Sequence, residues 1–370
     1  MKHLRMHRRG WQFMLLGVAL VVGVGIWGCS RMDNSPTGPS VSSDDSSARM
    51  QALLDPVFKI QDRHTPSLMT DVDVIGTATT LDENGKPAIM VLATSQRALD
   101  AVPTSLEGIP VQPILTDKIV AMKSSGTSHT AKQTPPIQLG TSGGWRSDLA
   151  NGYCCGGTLG SMISVGGQKR ILSNYHVFES DIVPGGNGIV AQTGDNIIQP
   201  GLIDVNCNAA NAQNVATLVK TSSLPGSNVD CSSANVISGM VNSSGSILEI
   251  GIIKSGTGVA ASVGQAVKKS GRTTGLTRST VSGLNATISV QYENECAGGV
   301  AFTKTFTGQI LVSNRRSAFL GSGDSGSLMV QDVTTNPNAV GLLFAGSSSI
   351  AVANPIGQVL SFFGATMVGN

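Results

Sequence analysis

The sequence predicts a mainly β protein: an all-β sandwich or a pair of barrels over residues 137–370, preceded by a small α/β segment over 50–123. Three observations carry this. After Pro136, short Val, Ile and Leu runs alternate with Gly, Asn and Ser turns as far as Asn370. Charged residues are only 13% of the chain while glycines number 45, a composition that favours strands and tight turns over long surface helices. The stretch is about 235 residues long, which suits two barrels.

Taken in order, residues 1–28 have the parts of an export signal. Lys2, Arg5, Arg8 and Arg9 precede an apolar run from Trp11 to Trp27, and Gly28 supplies a small residue at the end. The run is also near the lower length of a spanning helix, so a retained anchor stays open. Ile26-Trp27-Gly28-Cys29 resembles a bacterial lipobox, and the resemblance implies lipidation at Cys29, a membrane tether and a place in the cell envelope. Ser30 after that cysteine implies outer-membrane sorting in a Gram-negative host. Without the four leading basic residues the chain carries 21 basic against 23 acidic groups, so no nucleic-acid partner is expected.

Residues 29–49 are rich in Ser, Asp, Pro and Gly and read as a solvated tether. Met50, Leu53, Leu54, Val57, Phe58 and Ile60 recur at helical spacing, predicting one amphipathic helix before a turn at Pro66. Strands are expected near Val74 to Thr79 and Ala88 to Ala93 around an Asp82-Glu83-Asn84-Gly85 turn, then a short helix from Ser95 to Val102 and a strand ending near Met122. This segment carries no chemical motif; a pro-domain, an inhibitory domain and a permanent accessory all fit. Residues 124–136 form a polar linker containing His129.

The chemistry centres on Gly321-Ser322-Gly323-Asp324-Ser325-Gly326-Ser327, a glycine-rich turn running into the apolar Leu328-Met329-Val330. Glycines let backbone amides approach a substrate carbonyl, so Ser325 is the candidate nucleophile and the Gly323 and Ser325 amides the candidate oxyanion hole. A serine needs a histidine base held by a carboxylate. Of five histidines, His3 and His7 lie in the signal and His64 and His129 precede the β-rich region, leaving His176.

Gly323-Asp324-Ser325-Gly326-Ser327 resembles the nucleophile motif of the trypsin/chymotrypsin-like serine proteases, and Leu172-Ser173-Asn174-Tyr175-His176-Val177 resembles the family's histidine motif. The resemblance implies a double β-barrel peptidase and the order His, Asp, Ser. Among Asp181, Asp195, Asp204 and Asp230, the last precedes Cys231-Ser232-Ser233-Ala234 as the family's aspartate precedes its strand; Asp204 is the alternative. Cys155-Gly156-Gly157-Thr158-Leu159 resembles the strand before the histidine, and Val177 stands where a bridging cysteine often follows it, which is closer to bacterial members. Lys268 to Thr277 resembles a turn and strand of bacterial members, and Val340 to Ser347 the strand that binds substrate backbone through Phe344, Ala345 and Gly346. Family spacing puts Phe319 near the base of the specificity pocket, without an acid for Lys or Arg.

The expected ligand is a peptide or protein substrate, with no cofactor and no metal. Excluding Cys29, five cysteines leave at least one thiol over, and alternation along a strand would let only one of Cys154 and Cys155 be bridged. No histidine follows Ser325, which excludes the α/β-hydrolase order. A catalytically silent peptide-binding module of the same fold is the competing reading.

Overall fold

The computed structural model describes residues 43–121, 128–150, 153–180, 189–292 and 302–370. The signal, Cys29 and most of the tether lie outside them, as do Asp181 and Cys296.

Two large sheets hold most of the strands. The first has eight, running in space from Ala365–Met367 through Ser161–Val165, Gln168–Ser173, Ser232–Val236, Gln213–Val219, Asn196–Gln199 and Thr141–Trp145 to Gly157–Leu159. Beyond the last strand, Gly160 N donates to Leu172 O (3.0 Å), curling the sheet back on itself. Ile163, Ile171, Leu172, Ile197, Val215 and Ala234 fill its interior.

The second sheet closes outright. Ala266–Gly271, Leu328–Gln331, Ala339–Gly346, Ile350–Pro355, Phe302–Ser313 and Gly275–Tyr292 follow one another in pairs, and the last pairs with the first again. Every pairing in this ring is antiparallel, and the six strands close into a barrel. Ala339–Gly346 is buried along its whole length, consistent with its uninterrupted small and apolar sequence. The mainly β, two-barrel architecture expected from the pattern of strands is thus present.

The N-terminal α/β segment is an extension of this second barrel. Val74–Leu81 pairs antiparallel with Gly275–Tyr292 through Gly76 opposite Ile288 and Thr79 opposite Leu284, and Pro87–Ala93 and Ile109–Leu115 continue outward. One side of the 18-residue strand is therefore shared in succession by Ala266–Gly271 and Val74–Leu81. A glycine is needed at position 76, where a Cβ would lie 2.8 Å from Thr287 O.

The helix is longer than its apolar spacing suggested, spanning Ser43–Leu68 rather than Met50 to Ile60 and absorbing the end of the expected tether. Pro56 and Pro66 lie inside it, and the chain turns at Thr70, not at Pro66. The buried Leu54 and Val57 anchor it, and the Gln61 amide donates to Thr77 Oγ1 (3.2 Å) and Asn285 O (2.9 Å), tying the helix to both parts of the extended sheet.

Cys154 and Cys207 form a disulfide, and Cys155 is disulfide-bonded as well, against the expectation of one bridge for the adjacent pair. Strand alternation does not apply, because the short Tyr153–Cys154 strand ends before Cys155. Cys231 is the free, buried thiol among the described residues.

Candidate active site

His176 follows Gln168–Ser173 on a single helical turn, Tyr175–Phe178. Asp230 lies two residues before Ser232–Val236, the antiparallel neighbour of that strand, so the pairing of Ser173 with Ser232 brings the two segments together. His176 Nδ1 lies 2.6 Å from Asp230 Oδ2, with the residues 5% and 0% exposed.

Asp230 is held from several directions. Its Oδ1 accepts from Tyr175 N (2.7 Å) and its Oδ2 from the Tyr292 hydroxyl (2.9 Å), while Asn174 Nδ2 donates to its carbonyl (2.6 Å) and its own N–H donates to Asn354 Oδ1 (2.9 Å). The contact to His176 Nδ1 orients the ring, with Nε2 on its far side. Tyr292, from the second barrel, meets the His176 ring edge-on at 5.9 Å between centroids. Burial, then the neighbouring Asp230, push its phenol well above the ordinary range, so it remains a donor.

Ser325 enters from the second barrel on the turn before Leu328–Gln331 and is fully buried. Gly323 and Gly326 on either side take φ of 97° and 93°, conformations that residues with a Cβ rarely adopt. Thr158 of the first barrel clamps the turn, its N–H donating to Ser325 O (2.9 Å) and its Oγ1 to Gly323 O (2.9 Å). The Ser325 hydroxyl donates to Phe344 O (3.2 Å), and His176 Nε2 is buried without a hydrogen-bond partner.

Asp324 accepts from Gly321 N (2.9 Å), Thr273 N (2.8 Å) and Thr274 N (3.1 Å), and forms an ion pair with Lys269 Nζ at 2.9 Å, both side chains being fully buried. Desolvation lowers the Lys269 ammonium from its ordinary value, partly offset by Asp324. Lys269 lies in the Ala266–Gly271 strand, so the barrel wall itself fixes the turn that carries Ser325.

Asp204, the alternative acid, lies elsewhere. It is held by Arg272 through Nε (2.6 Å) and Nη2 (2.5 Å) and by Ser142 Oγ (2.5 Å). Phe319 packs in a core cluster with Leu320, Val312 and Met329, whereas Phe344 belongs to the cluster containing Tyr175 and Tyr292. Asn314 Oδ1 accepts from Phe319 N (3.0 Å) and Leu320 N (2.9 Å), fixing the backbone there. Ala345 and Gly346 follow Phe344 on the strand, as expected. A cavity of about 760 Å³ lined by Gln51, Phe58, Val259, Leu284 and Ile310 lies apart, and neither His176, Asp230 nor Ser325 lines it. Neither Tyr292 nor Lys269 carries a sequence signal for its contact: Lys269 belongs to the Lys268 to Thr277 turn and strand, in which nothing names Asp324 as its partner.

A family model described as the Nal1 C-terminal domain matches residues 207–353. No curated protein matches the chain. Among solved structures, a glutamic acid-specific serine protease described as using a histidine triad in substrate binding is 18% identical, with 62% of this chain and 100% of that chain covered at a TM-score of 0.40. Thermobifida fusca protease A is 19% identical, covering 63% and 99% at a TM-score of 0.40. Cellulomonas bogoriensis chymotrypsin is 19% identical, covering 63% and 99% at a TM-score of 0.39.

Proposed function

We propose that the chain is a serine endopeptidase that hydrolyses peptide bonds through an acyl-enzyme. The observation that carries this reading is the buried His176–Asp230 pair, 2.6 Å apart, at the junction where Thr158 of the first barrel clamps the Ser325 turn of the second. Such a pair supplies an oriented base, and the glycine-flanked turn supplies backbone for the oxyanion.

In this mechanism the Ser325 hydroxyl turns from Phe344 O toward His176 Nε2. Its oxygen bonds the substrate carbonyl carbon as the proton passes to Nε2, and the carbonyl electrons move onto oxygen, where the Gly323 and Ser325 amides receive them. The C–N bond then breaks, the leaving nitrogen taking the proton from His176. Water, deprotonated by His176, attacks the ester, and Ser325 regains its proton as the acid leaves. Asp230 keeps the imidazole in one orientation and stabilises its charged form. The substrate main chain lies along Phe344, Ala345 and Gly346.

The serine's bond to Phe344 O favours a second reading, a peptide-binding module that does no chemistry. A fluorophosphonate probe separates the two: labelling that disappears in Ser325→Ala and falls in His176→Ala supports the peptidase, and absence of Ser325-dependent labelling in the mature, correctly processed form refutes it. The same proposal takes Cys29 as a lipid anchor in the cell envelope; palmitate incorporation lost in Cys29→Ala is expected, and an unlabelled wild type removes the anchor.

A further inference from the structure

The Val120–Ala121 strand lies against the edge assigned above to the substrate. Ala121 pairs with Ala345 and Val120 with Gly346, antiparallel, while on its other side Val120 pairs with Gln291. Gln291 N donates to Ile119 O (3.0 Å), so the short strand is held between two strands of the second barrel. The direction matters. Ala345 is the residue next to Phe344, whose carbonyl holds the Ser325 hydroxyl, and an antiparallel strand passing from Gly346 to Ala345 runs toward the nucleophile.

Side chains hold the same stretch. Ile119 is 1% exposed, in the apolar cluster that contains Tyr175, Leu224, Tyr292 and Phe344, next to the His176–Asp230 pair. Thr116 Oγ1 and Ser347 Oγ share a buried hydrogen bond of 2.7 Å, and Ser348 Oγ donates to Asp117 Oδ2 (2.6 Å). Backbone pairing to an edge strand, with one side chain sunk in a pocket, is the manner in which extended peptides are recognised.

We propose that residues 116–121 are the chain's own peptide ligand, occupying the substrate-binding edge and holding the site latent. The inference rests on the peptidase reading for the identity of that edge. It also names the class of peptide the edge accepts: an extended chain carrying an aliphatic residue two positions before the one that faces Ala345, where Ile119 sits. Because the occupant is covalently attached, it competes at a high effective concentration, and a substrate in trans gains access only when the segment lifts.

The test measures binding separately from catalysis. The full chain carrying Ser325→Ala is titrated with a fluorescein-labelled peptide of residues 116–121, alone and with Ile119→Ala, Ile119→Val or Thr116→Val added. The expected result is binding about tenfold tighter in the Ile119→Ala and Thr116→Val chains than in the Ser325→Ala parent, a near-parental value for Ile119→Val, and loss of binding when the peptide's isoleucine is replaced by aspartate. Equal affinity across parent and opened chains, or equal binding of the aspartate peptide, overturns the proposal. Should Ile119→Ala not fold, Thr116→Val decides alone. With Ser325 restored, an opened chain that binds the peptide but does not react with fluorophosphonate refutes the peptidase and leaves this assignment standing. Equal labelling rates in parent and opened chains refute this assignment and leave the peptidase.

Discussion

The Tyr292 hydroxyl and the His176 imidazole converge on one oxygen, Oδ2 of Asp230, at 2.9 and 2.6 Å. A strand of the second barrel thus reaches across the junction to steady an acid that belongs to the first. Tyr292→Phe removes one donor and leaves the fold's apolar packing intact. A hydrogen bond to a charged group is worth about 1.5–3 kcal/mol, so kcat is expected to fall by roughly tenfold with KM little changed. A KM-dominated loss would show that Tyr292 only fills space.

Lys269 and Asp324 form an ion pair with no exposure on either side. Lys269→Met strands a buried carboxylate, and the expected loss is about 3–5 kcal/mol in urea unfolding. Adding Asp324→Asn to Lys269→Met should recover part of it, and a double-mutant cycle with no coupling would dismiss the pair as a determinant of the turn.

Gly326 combines a φ of 93° with a site where a Cβ would overlap Thr158 O and Ser173 Oγ. Gly326→Ala therefore forces the two barrels apart at the nucleophile, and a loss of about 3 kcal/mol or more is expected, with fluorophosphonate labelling abolished. Gly167, also at positive φ but with open space around it, is the control: Gly167→Ala should lose about 1 kcal/mol and keep its reactivity.

Glu179 is buried, accepting from Ser232 Oγ (2.6 Å), Thr221 N (3.2 Å) and Ser222 N (3.0 Å). Burial pushes its carboxyl above the ordinary 4.5, and the hydrogen bonds and Lys220 only partly oppose this. The native state thus binds that proton more tightly than the unfolded chain, a contribution fully present below 4.5 and lost as pH rises through the raised value. Measured by urea unfolding from pH 4 to pH 7, the stability of Glu179→Gln relative to wild type should rise with pH. A flat or falling difference would contradict the assignment.

Ser325, His176 and Asp230 could be found in the sequence because each sits in a short local pattern: a glycine turn, a strand end, an aspartate opening a strand. Their partners could not. Tyr292 lies 62 residues from Asp230 and Lys269 lies 55 from Asp324, and nothing local in either strand names its partner. Arg272 and Asp204 show the same limit: a basic turn and an acid in an apolar stretch each have several plausible partners until the fold brings them together. The Val120–Ala121 pairing spans more than two hundred residues, and two residues carry no periodicity at all. Apolar spacing also ended the helix at Ile60, with a turn at Pro66, whereas packing of Leu54, Val57 and Gln61 carries it through to Leu68.

The long Gly275–Tyr292 strand makes the N-terminal segment difficult to dispense with. Its first half closes the barrel, but Leu284 to Ile288 find their neighbour in Val74–Leu81. Trimming the chain before Ser128 would strip that flank of its partner, baring unpaired amides beside Leu284, Ala286 and Ile288. An isolated barrel pair of this kind would carry an adhesive border open to other copies, so self-association on truncation, rather than release of a freely soluble enzyme, is the consequence built into this strand's length.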